Sequence, residues 1–252
     1  MSAILERAMG DGPHIYRAPM LEKLGFRAFI TGRGGGVSQG PFSSLNVSLD
    51  VGDLPGSVGQ NLERIQKAEG IKELWRARQV HGDHVMGISQ WPPSRKEDAD
   101  ALVVAVRGIT AAVSVADCLP AILVDPVKKV AAAIHAGRKG TELHITRKTV
   151  WRMNSWFECD PANIVALLGP CIRSCCYQVD EKTAGEYHAC CGGTGRMLDI
   201  AAANRDQLVS AGVAPGNIHD SGICTACQKD KFFSHRGDKG MTGRFLCGVT
   251  II

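Results

Sequence analysis

Long apolar runs are absent from this chain. No stretch approaches the ~18 consecutive apolar residues that a membrane-spanning helix needs. The N-terminal sequence MSAILERAMGDGPHIYRAP has no apolar core after a basic start, which is not typical of a secretory signal peptide. We therefore expect a cytoplasmic protein that does not act on a membrane.

A basic stripe, an internal repeat and a low-complexity linker are also missing. The net charge is only +4, and the basic residues are scattered, with short pairs such as Lys128-Lys129 and Arg138-Lys139. A nucleic-acid-binding protein would concentrate such residues, so we expect no nucleic-acid partner. The mild positive balance is compatible with a small anionic substrate. We predict a single domain over residues 1–252, partly irregular in residues 1–25.

The composition that is present is that of a globular protein, with 44% hydrophobic and 21% charged residues. Its ten cysteines occur without an export signal. Such cysteines are expected to be reduced thiols, metal ligands or reactive groups rather than members of a disulfide scaffold.

Short apolar runs bounded by turn residues predict strands, and apolar residues at helical spacing predict helices. The predicted strands cover 26–31, 42–49 (with a turn), 77–80, 85–88, 101–104, 111–115, 121–124, 130–134, 164–168, 232–234 and 245–251. The predicted helices cover 58–69, which Gly70 ends, and 140–157, 181–190 and 200–211. Strands and helices do not alternate strictly. This favours a layered α+β fold, a mixed β-sheet with packed helices, over a doubly wound parallel sheet.

Three apolar strands end in polar residues next to a turn. RQVHG ends at His81, AVSVADC at Asp117 and Cys118, and VAAAIHAG at His135. Two imidazoles and a thiolate are zinc ligands, and three protein ligands leave the fourth position open for catalysis. The same residue types have two other interpretations: buried core residues, or a Cys118 nucleophile with His135 as its base and Asp117 or His81 orienting the imidazole.

Other motifs give weaker signals. Cys171 and Cys175, with Cys224 and Cys227, could form a structural four-cysteine site or a redox pair, but the stretch GICTACQKD does not begin a helix after a strand as redox motifs do. We expect these cysteines to pack or to remain free thiols. GRGGG at 32–36 predicts a flexible turn rather than a phosphate-binding loop. Arg236 and Arg244 are either an anion grip or solvated surface residues.

Seven segments, in order, resemble the YfiH-like family, whose members are known as multicopper polyphenol oxidases, laccase-domain proteins and purine nucleoside phosphorylases. They are TGRGGGVSQGPFSSLNVS (31–48), RQVHGDHV (78–85), DADALVV (98–104), SVADCLPAILVDP (114–126), AAIHAG (132–137), LGPCI with CCYQV (168–179) and FFSHRGDKGMTGR (232–244).

The resemblance implies a mixed-sheet fold related to the cytotoxic-necrotizing-factor and YfiH-like cysteine hydrolases. It implies metal ligands at His81, Cys118 and His135, with zinc as the cofactor and copper as an alternative. It also implies phosphorolysis of adenosine, inosine and methylthioadenosine, with adenosine deamination as a second activity. Polyphenol oxidation and editing of cell-wall precursors are other roles proposed in the family. The expected partners are therefore a purine nucleoside and phosphate.

The chain departs from the family pattern at a few positions. The usual HAGWRG is His135-Ala-Gly-Arg-Lys-Gly here, so a Lys139 that replaced a phosphate-binding arginine would lose its forked geometry. Leu62 replaces the Arg of an Asn-Arg pair, and His235 replaces a Tyr.

Within this interpretation, Asn46 and Arg236 are candidate substrate contacts, and Asp117 is either an acid–base group or a turn residue. A centre of several coppers draws on many histidines, and this chain has only eight, which argues against it. A zinc-binding partner protein without catalytic activity is the alternative from another class.

Overall fold

The computed structural model describes residues 5–7, 12–93 and 97–252, and about half of these residues lie in strands and helices. The strands, in chain order, are Glu6–Arg7 (β1), Ile15–Arg17 (β2), Phe26–Thr31 (β3), Glu73–Trp75 (β4), Val85–Ile88 (β5), Ala101–Val104 (β6), Ile109–Val115 (β7), Leu119–Asp125 (β8), Val130–Ala136 (β9), Val165–Leu168 (β10), Ile218–Asp220 (β11) and Phe245–Ile251 (β12). The helices are Pro19–Glu22 (α1), Pro55–Glu69 (α2), Arg138–Glu142 (α3), Ile145–Phe157 (α4), Glu181–Cys191 (α5) and Ile200–Ser210 (α6).

The strands form two six-stranded sheets rather than one. The first sheet has the order β1-β2-β3-β12-β7-β4, and the second has the order β11-β10-β8-β9-β6-β5. Most neighbours are antiparallel, but β4 runs parallel to β7, β5 to β6 and β10 to β11. Both sheets are therefore mixed, and the predicted α+β class with mixed sheets and packed helices is confirmed.

Alternating side chains of the central strands supply two separate cores. On β9, Ala131 and Ala133 belong to the core between the two sheets, whereas Ala132 and Ile134 belong to the core between the second sheet and the helices α4, α5 and α6. A third, smaller core lies between the first sheet and α2, around Ile65. A sheet covered on both faces has strands that are apolar throughout, which explains the continuous apolar runs in the sequence.

Helix α2 begins with Pro55 in its first turn and ends where Gly70 adopts φ +61°. Both signals are local, because proline is tolerated in the first turn and glycine readily adopts the left-handed conformation. The predicted end of this helix is confirmed, and the helix begins three residues before the predicted start. None of the helices in the described ranges combines the length and apolar character needed to cross a membrane.

Four predicted elements are wrong. Residues 77–80 make only an isolated bridge between Arg78 and Asp98, and β5 pairs with β6 instead. Residues 42–49 and 232–234 contain no strand, because their apolar side chains fill the cores from loops. The predicted helix 140–157 is two helices, α3 and α4, separated at His144 with φ +60°.

Candidate functional site

The metal-type side chains His81, Cys118 and His135 lie together at one end of the second sheet. Cys118 directly precedes β8, and His135 lies near the end of the adjacent antiparallel strand β9, opposite Pro120. His81 lies in the turn before β5. Their ligand atoms all lie within 4.8 Å of one another. We call these three residues the ligand triad.

The backbone around the ligand triad is adapted to this close approach. His81 has φ +58°, and Asp117, the residue before Cys118, has φ +84°. Residues other than glycine rarely adopt these backbone conformations. A Cβ atom on Gly137 would lie 2.9 Å from the Cys118 sulfur and 3.3 Å from the His81 ring. Only glycine therefore leaves room for the ligand triad at this position.

Asp100, which precedes β6, orients the ligand triad from behind. Its fully buried carboxylate lies 2.7 Å from Nδ1 of His135. The same carboxylate accepts hydrogen bonds from the backbone N–H groups of Val80, His81 and Gly82. One carboxylate thus fixes both the imidazole of His135 and the turn that carries His81, as carboxylate–histidine pairs do behind metal ions.

The charges at this position are strongly coupled. Burial opposes ionisation of Asp100, but hydrogen bonds from His135 and the backbone outweigh it and lower the pKa of the carboxyl. Because Asp100 is ionised, Nδ1 of His135 carries the proton and Nε2 faces the triad. Burial raises the pKa of Cys118, but the charge and hydrogen bonds of the two histidines lower it to about 6. Burial also lowers the pKa of His135, but Cys118 and Asp100 raise it to about 9.

The donor set of the ligand triad fits a transition-metal ion. Two imidazoles and one thiolate are ligands that zinc and copper accept. All three side chains also line a cleft of about 850 Å³, so an ion held by them would have a coordination position facing the cleft. The same geometry contains the elements of a Cys–His–Asp catalytic arrangement, with Asp100 rather than Asp117 orienting the imidazole.

Asp117 lines the same cleft, but its carboxylate already has three protein donors. Its Oδ1 accepts hydrogen bonds from Thr225 at 2.6 Å and from Ser234 at 2.7 Å. Its Oδ2 accepts one from the backbone N–H of Arg236 at 2.6 Å. Asp117 therefore joins the end of β7 to two parts of the long loop between β11 and β12, which contributes to the cleft wall.

The two candidate substrate contacts differ in position. Arg236 lines the cleft, where its guanidinium lies over the ring of Tyr177 at 5.5 Å. Asn46 is fully buried and does not line the cleft. Its amide binds the backbone of Ser48 and Arg244 and the carboxylate of Asp53. Asn46 thus holds a loop in place and is not available to a ligand.

Arginines dominate the charged lining of the cleft, and sequence reasoning found only part of this set. The arginines that line it are Arg76, Arg78, Arg138, Arg236 and Arg244. Among the described residues, Arg78 and Arg138 have carboxylate partners in Asp98 and Glu142, whereas Arg76, Arg236 and Arg244 have none within ion-pair distance. The guanidinium groups of these three arginines donate only to backbone carbonyls. Burial lowers the pKa of Arg76 and Arg244, which are half-buried.

Asp100 and Arg76 are the important residues that sequence reasoning missed. Asp100 lies in the segment DADALVV, whose second acidic residue directly precedes an apolar strand, and this was the available signal. Arg76 had no comparable signal, since a single arginine after an apolar residue is common on protein surfaces.

Lys139 is exposed and does not line the cleft. Asn61 is buried and binds the backbone around the glycine-rich loop, including the N–H of Val37. The glycines of that loop do not line the cleft either.

Comparisons with known proteins agree on one family. The family model described as "Multi-copper polyphenol oxidoreductase laccase" matches residues 27–252. The purine nucleoside phosphorylase YlmD of Geobacillus stearothermophilus is 33% identical over 245 residues, 88% of this chain and 89% of that protein. The purine nucleoside phosphorylase SCO2081 of Streptomyces coelicolor is 39% identical over 229 residues, 85% of this chain and 91% of that protein.

Solved structures show the same relationship. The crystal structure of YlmD from Geobacillus stearothermophilus superposes with a TM-score of 0.89 at 30% identity, covering 98% of both chains. That of the hypothetical protein YfiH from Bacillus licheniformis superposes with a TM-score of 0.87 at 29% identity, covering 96% of this chain and 98% of that one. The mammalian relatives are longer, and this chain spans about half of their length. The resemblance to YfiH-like proteins is confirmed.

Proposed function

Since this chain belongs to the multi-copper polyphenol oxidoreductase laccase family, with relatives named purine nucleoside phosphorylases, we propose that it is a metal-dependent purine nucleoside phosphorylase. Adenosine, inosine and methylthioadenosine are the proposed substrates, and adenosine deamination is the proposed second activity. Zinc is the proposed metal, with copper as the alternative.

The observation that carries this proposal is a pair of half-buried arginines in the cleft, Arg76 and Arg244, that have no carboxylate partner within ion-pair distance. Removing a guanidinium from water is costly unless an anion compensates for the lost hydration. Arg76 and Arg244 bind only backbone carbonyls with the hydrogen bonds described above, and the negative charges of Cys118 and Asp117 act on Arg244. An anion such as phosphate would accept forked hydrogen bonds from the remaining N–H groups of both guanidinium groups and compensate their charge, in the same cleft as the ligand triad.

In phosphorolysis, an oxygen of hydrogen phosphate forms a bond to C1′ of the ribose as the bond from C1′ to the purine nitrogen breaks, and the proton of the hydrogen phosphate ends on the purine. We assign Arg76 and Arg244 to holding the phosphate. The half-buried ring of Tyr177, with Arg236 over it, offers a surface on which a purine base can stack. Asp117 is assigned a positioning role, since its three hydrogen bonds hold the loop that carries Arg236.

The ligand triad is assigned to the metal. Asp100 binds Nδ1 of His135, so Nε2 is the nitrogen that would bind a metal, after losing its own proton. A zinc ion held by His81, Cys118 and His135 would lower the pKa of a bound water to about 7, which is the chemistry that deamination of adenosine requires. The histidines do not favour a centre of several coppers, since within the described ranges the groups of three or more potential ligands are the ligand triad and a set of four cysteines.

The test is chromatography of adenosine incubated with the purified protein, with and without phosphate. Adenine that forms only with phosphate supports phosphorolysis, and inosine supports deamination. We expect Arg244→Met to raise the KM for phosphate at least tenfold, and Arg147→Met, an exposed arginine on α4, to leave it unchanged. If no adenine forms under either condition, the phosphorylase proposal fails.

The arrangement Asp100–His135–Cys118 also favours a second candidate, hydrolysis by a cysteine nucleophile. The two candidates differ in their need for metal. A nucleophilic thiol stays active after treatment with a chelator and is inactivated by iodoacetamide, with the label on Cys118. A metal-dependent phosphorylase loses activity with the chelator and regains it when zinc is restored.

A further inference from the structure

Four cysteines from two loops lie together outside the ligand triad. Cys175 and Cys176 are in the loop that follows β10, and Cys224 and Cys227 are in the loop that follows β11. Their sulfur atoms all lie within 4.8 Å of one another. We call these residues the four-cysteine cluster. Cys176 takes the place that the sequence motif suggested for Cys171. All four cysteines are free thiols in the structure, as one of the sequence-based expectations had it.

The sulfur separations match those of a tetrahedral metal site. A zinc–sulfur bond of about 2.3 Å in a tetrahedron places neighbouring sulfurs about 3.8 Å apart. Cys175 lies 3.8 Å from Cys176 and 3.7 Å from Cys227, and the separation of Cys176 from Cys227 is 3.4 Å. A disulfide would bring two of the sulfurs to about 2.05 Å and would leave the other two without a partner.

The backbone prepares the two loops for this contact. Cys171 and Cys224 form an isolated parallel bridge, in which the N–H of Thr225 donates to the carbonyl of Cys171 at 3.0 Å. Burial raises the pKa of the Cys224 thiol, but the backbone N–H groups of Cys227 and Arg173 outweigh it and lower the pKa. Amide hydrogen bonds of this kind stabilise a thiolate ligand and fix its direction.

We propose that the four-cysteine cluster binds a zinc ion in a closed structural site that ties the loop after β10 to the loop after β11. Four thiolates complete the tetrahedron, so this site has no open position and supports folding rather than a reaction. It is separate from the ligand triad in both ligands and role. The proposal does not depend on the phosphorylase activity.

A metal ion at the four-cysteine cluster would stabilise one wall of the cleft. Ile172 and Tyr177, on either side of Cys175 and Cys176, line the cleft. In the second loop, Thr225 lies between the other two cysteines and donates to Asp117 at 2.6 Å. A metal at the cluster would fix the positions of these residues relative to one another without contacting the substrate.

The exposed cysteines allow a test on the unaltered protein. Cys175, Cys227 and Cys190 are all exposed, but Cys190 lies on α5 outside the cluster. We expect iodoacetamide to label Cys190 rapidly and to label Cys175 and Cys227 only after a chelator has removed the metal, as measured by peptide mass spectrometry. Equal labelling of all three before the chelator is added, or a disulfide within the cluster, would overturn the proposal.

Metal content separates the two sites. In a Cys118→Ala protein, which lacks a triad ligand, we expect zinc to remain bound and cobalt to give the intense absorption of four thiolates around a tetrahedral ion. Adding Cys227→Ser should abolish both, whereas adding Cys190→Ser should change neither. A Cys118→Ala protein that is folded and contains no metal would contradict the proposal, even if the wild-type enzyme were an active phosphorylase.

Discussion

Asp100 offers the sharpest test of how the ligand triad is built. Its Oδ1 accepts hydrogen bonds from Nδ1 of His135 and the backbone of His81, and its Oδ2 accepts them from the backbone of Val80 and Gly82. In Asp100→Asn, an NH₂ group replaces one of these oxygens. Two donors of this buried or part-buried network then face another donor instead of an acceptor.

The magnitude follows from these contacts. Loss of a carboxylate behind a metal-binding histidine weakens metal affinity by about 10- to 100-fold, which is about 1.4–2.8 kcal/mol. Each buried donor left without an acceptor costs a further ~1–3 kcal/mol of folding stability. We therefore expect Asp100→Asn to bind zinc at least tenfold more weakly than wild type and to unfold at a lower temperature.

The assay is zinc competition against a chromophoric chelator, with thermal unfolding of the same samples followed by circular dichroism. Asp98→Asn is the matched control, because Asp98 lies in the same segment but its half-exposed carboxylate pairs with Arg78 outside the triad. The control should bind zinc as wild type does. A folded Asp100→Asn protein with wild-type zinc affinity would refute the assigned role of Asp100.

Three further predictions follow from the contacts of single residues. Gly137→Ala should weaken zinc binding, because its new Cβ would lie 2.9 Å from the thiol sulfur of the triad, whereas Gly185→Ala, with no atom within 4 Å of the added Cβ, should be neutral in the same competition assay. Lys139→Arg should leave the KM for phosphate unchanged in initial-rate measurements, since this side chain is outside the cleft, and a lower KM would show that it reaches phosphate. Asp220→Asn should reduce the free energy of unfolding in urea by about 1–2 kcal/mol at neutral pH, because it removes the ion pair with Arg173. Burial opposes ionisation of Asp220, but Arg173 and other donors hold the folded-state pKa of its carboxyl below 3.8. The stability that the ion pair contributes is therefore present above pH 3.8 and is lost as the pH falls through the folded-state pKa. A stability difference between wild type and Asp220→Asn that stays constant in acid would contradict this role.

Local patterns were sufficient for the elements whose ends carry strong signals. The strand Phe26–Thr31 and the glycine that ends α2 agree with the sequence prediction, because alternation, apolar content and a left-handed glycine act within a few residues. The wrong elements at 77–80 and 232–234 have apolar side chains as well, but no neighbouring strand offers them a ladder. Strand formation depends on a partner, which a short apolar run does not specify.

The sequence alone placed His81, Cys118 and His135 next to turns beside short apolar runs, and this made them candidates for one site. The tertiary structure alone decided that Asp100 lies behind His135, that Asn46 is buried away from the cleft, and that Cys176 rather than Cys171 joins the four-cysteine cluster. The physical reason is the range of the interactions involved. The point at which an apolar run gives way to a turn depends on residues that are neighbours in the chain. Burial and side-chain contacts depend on residues tens of positions away, which only the packing of the two sheets brings together.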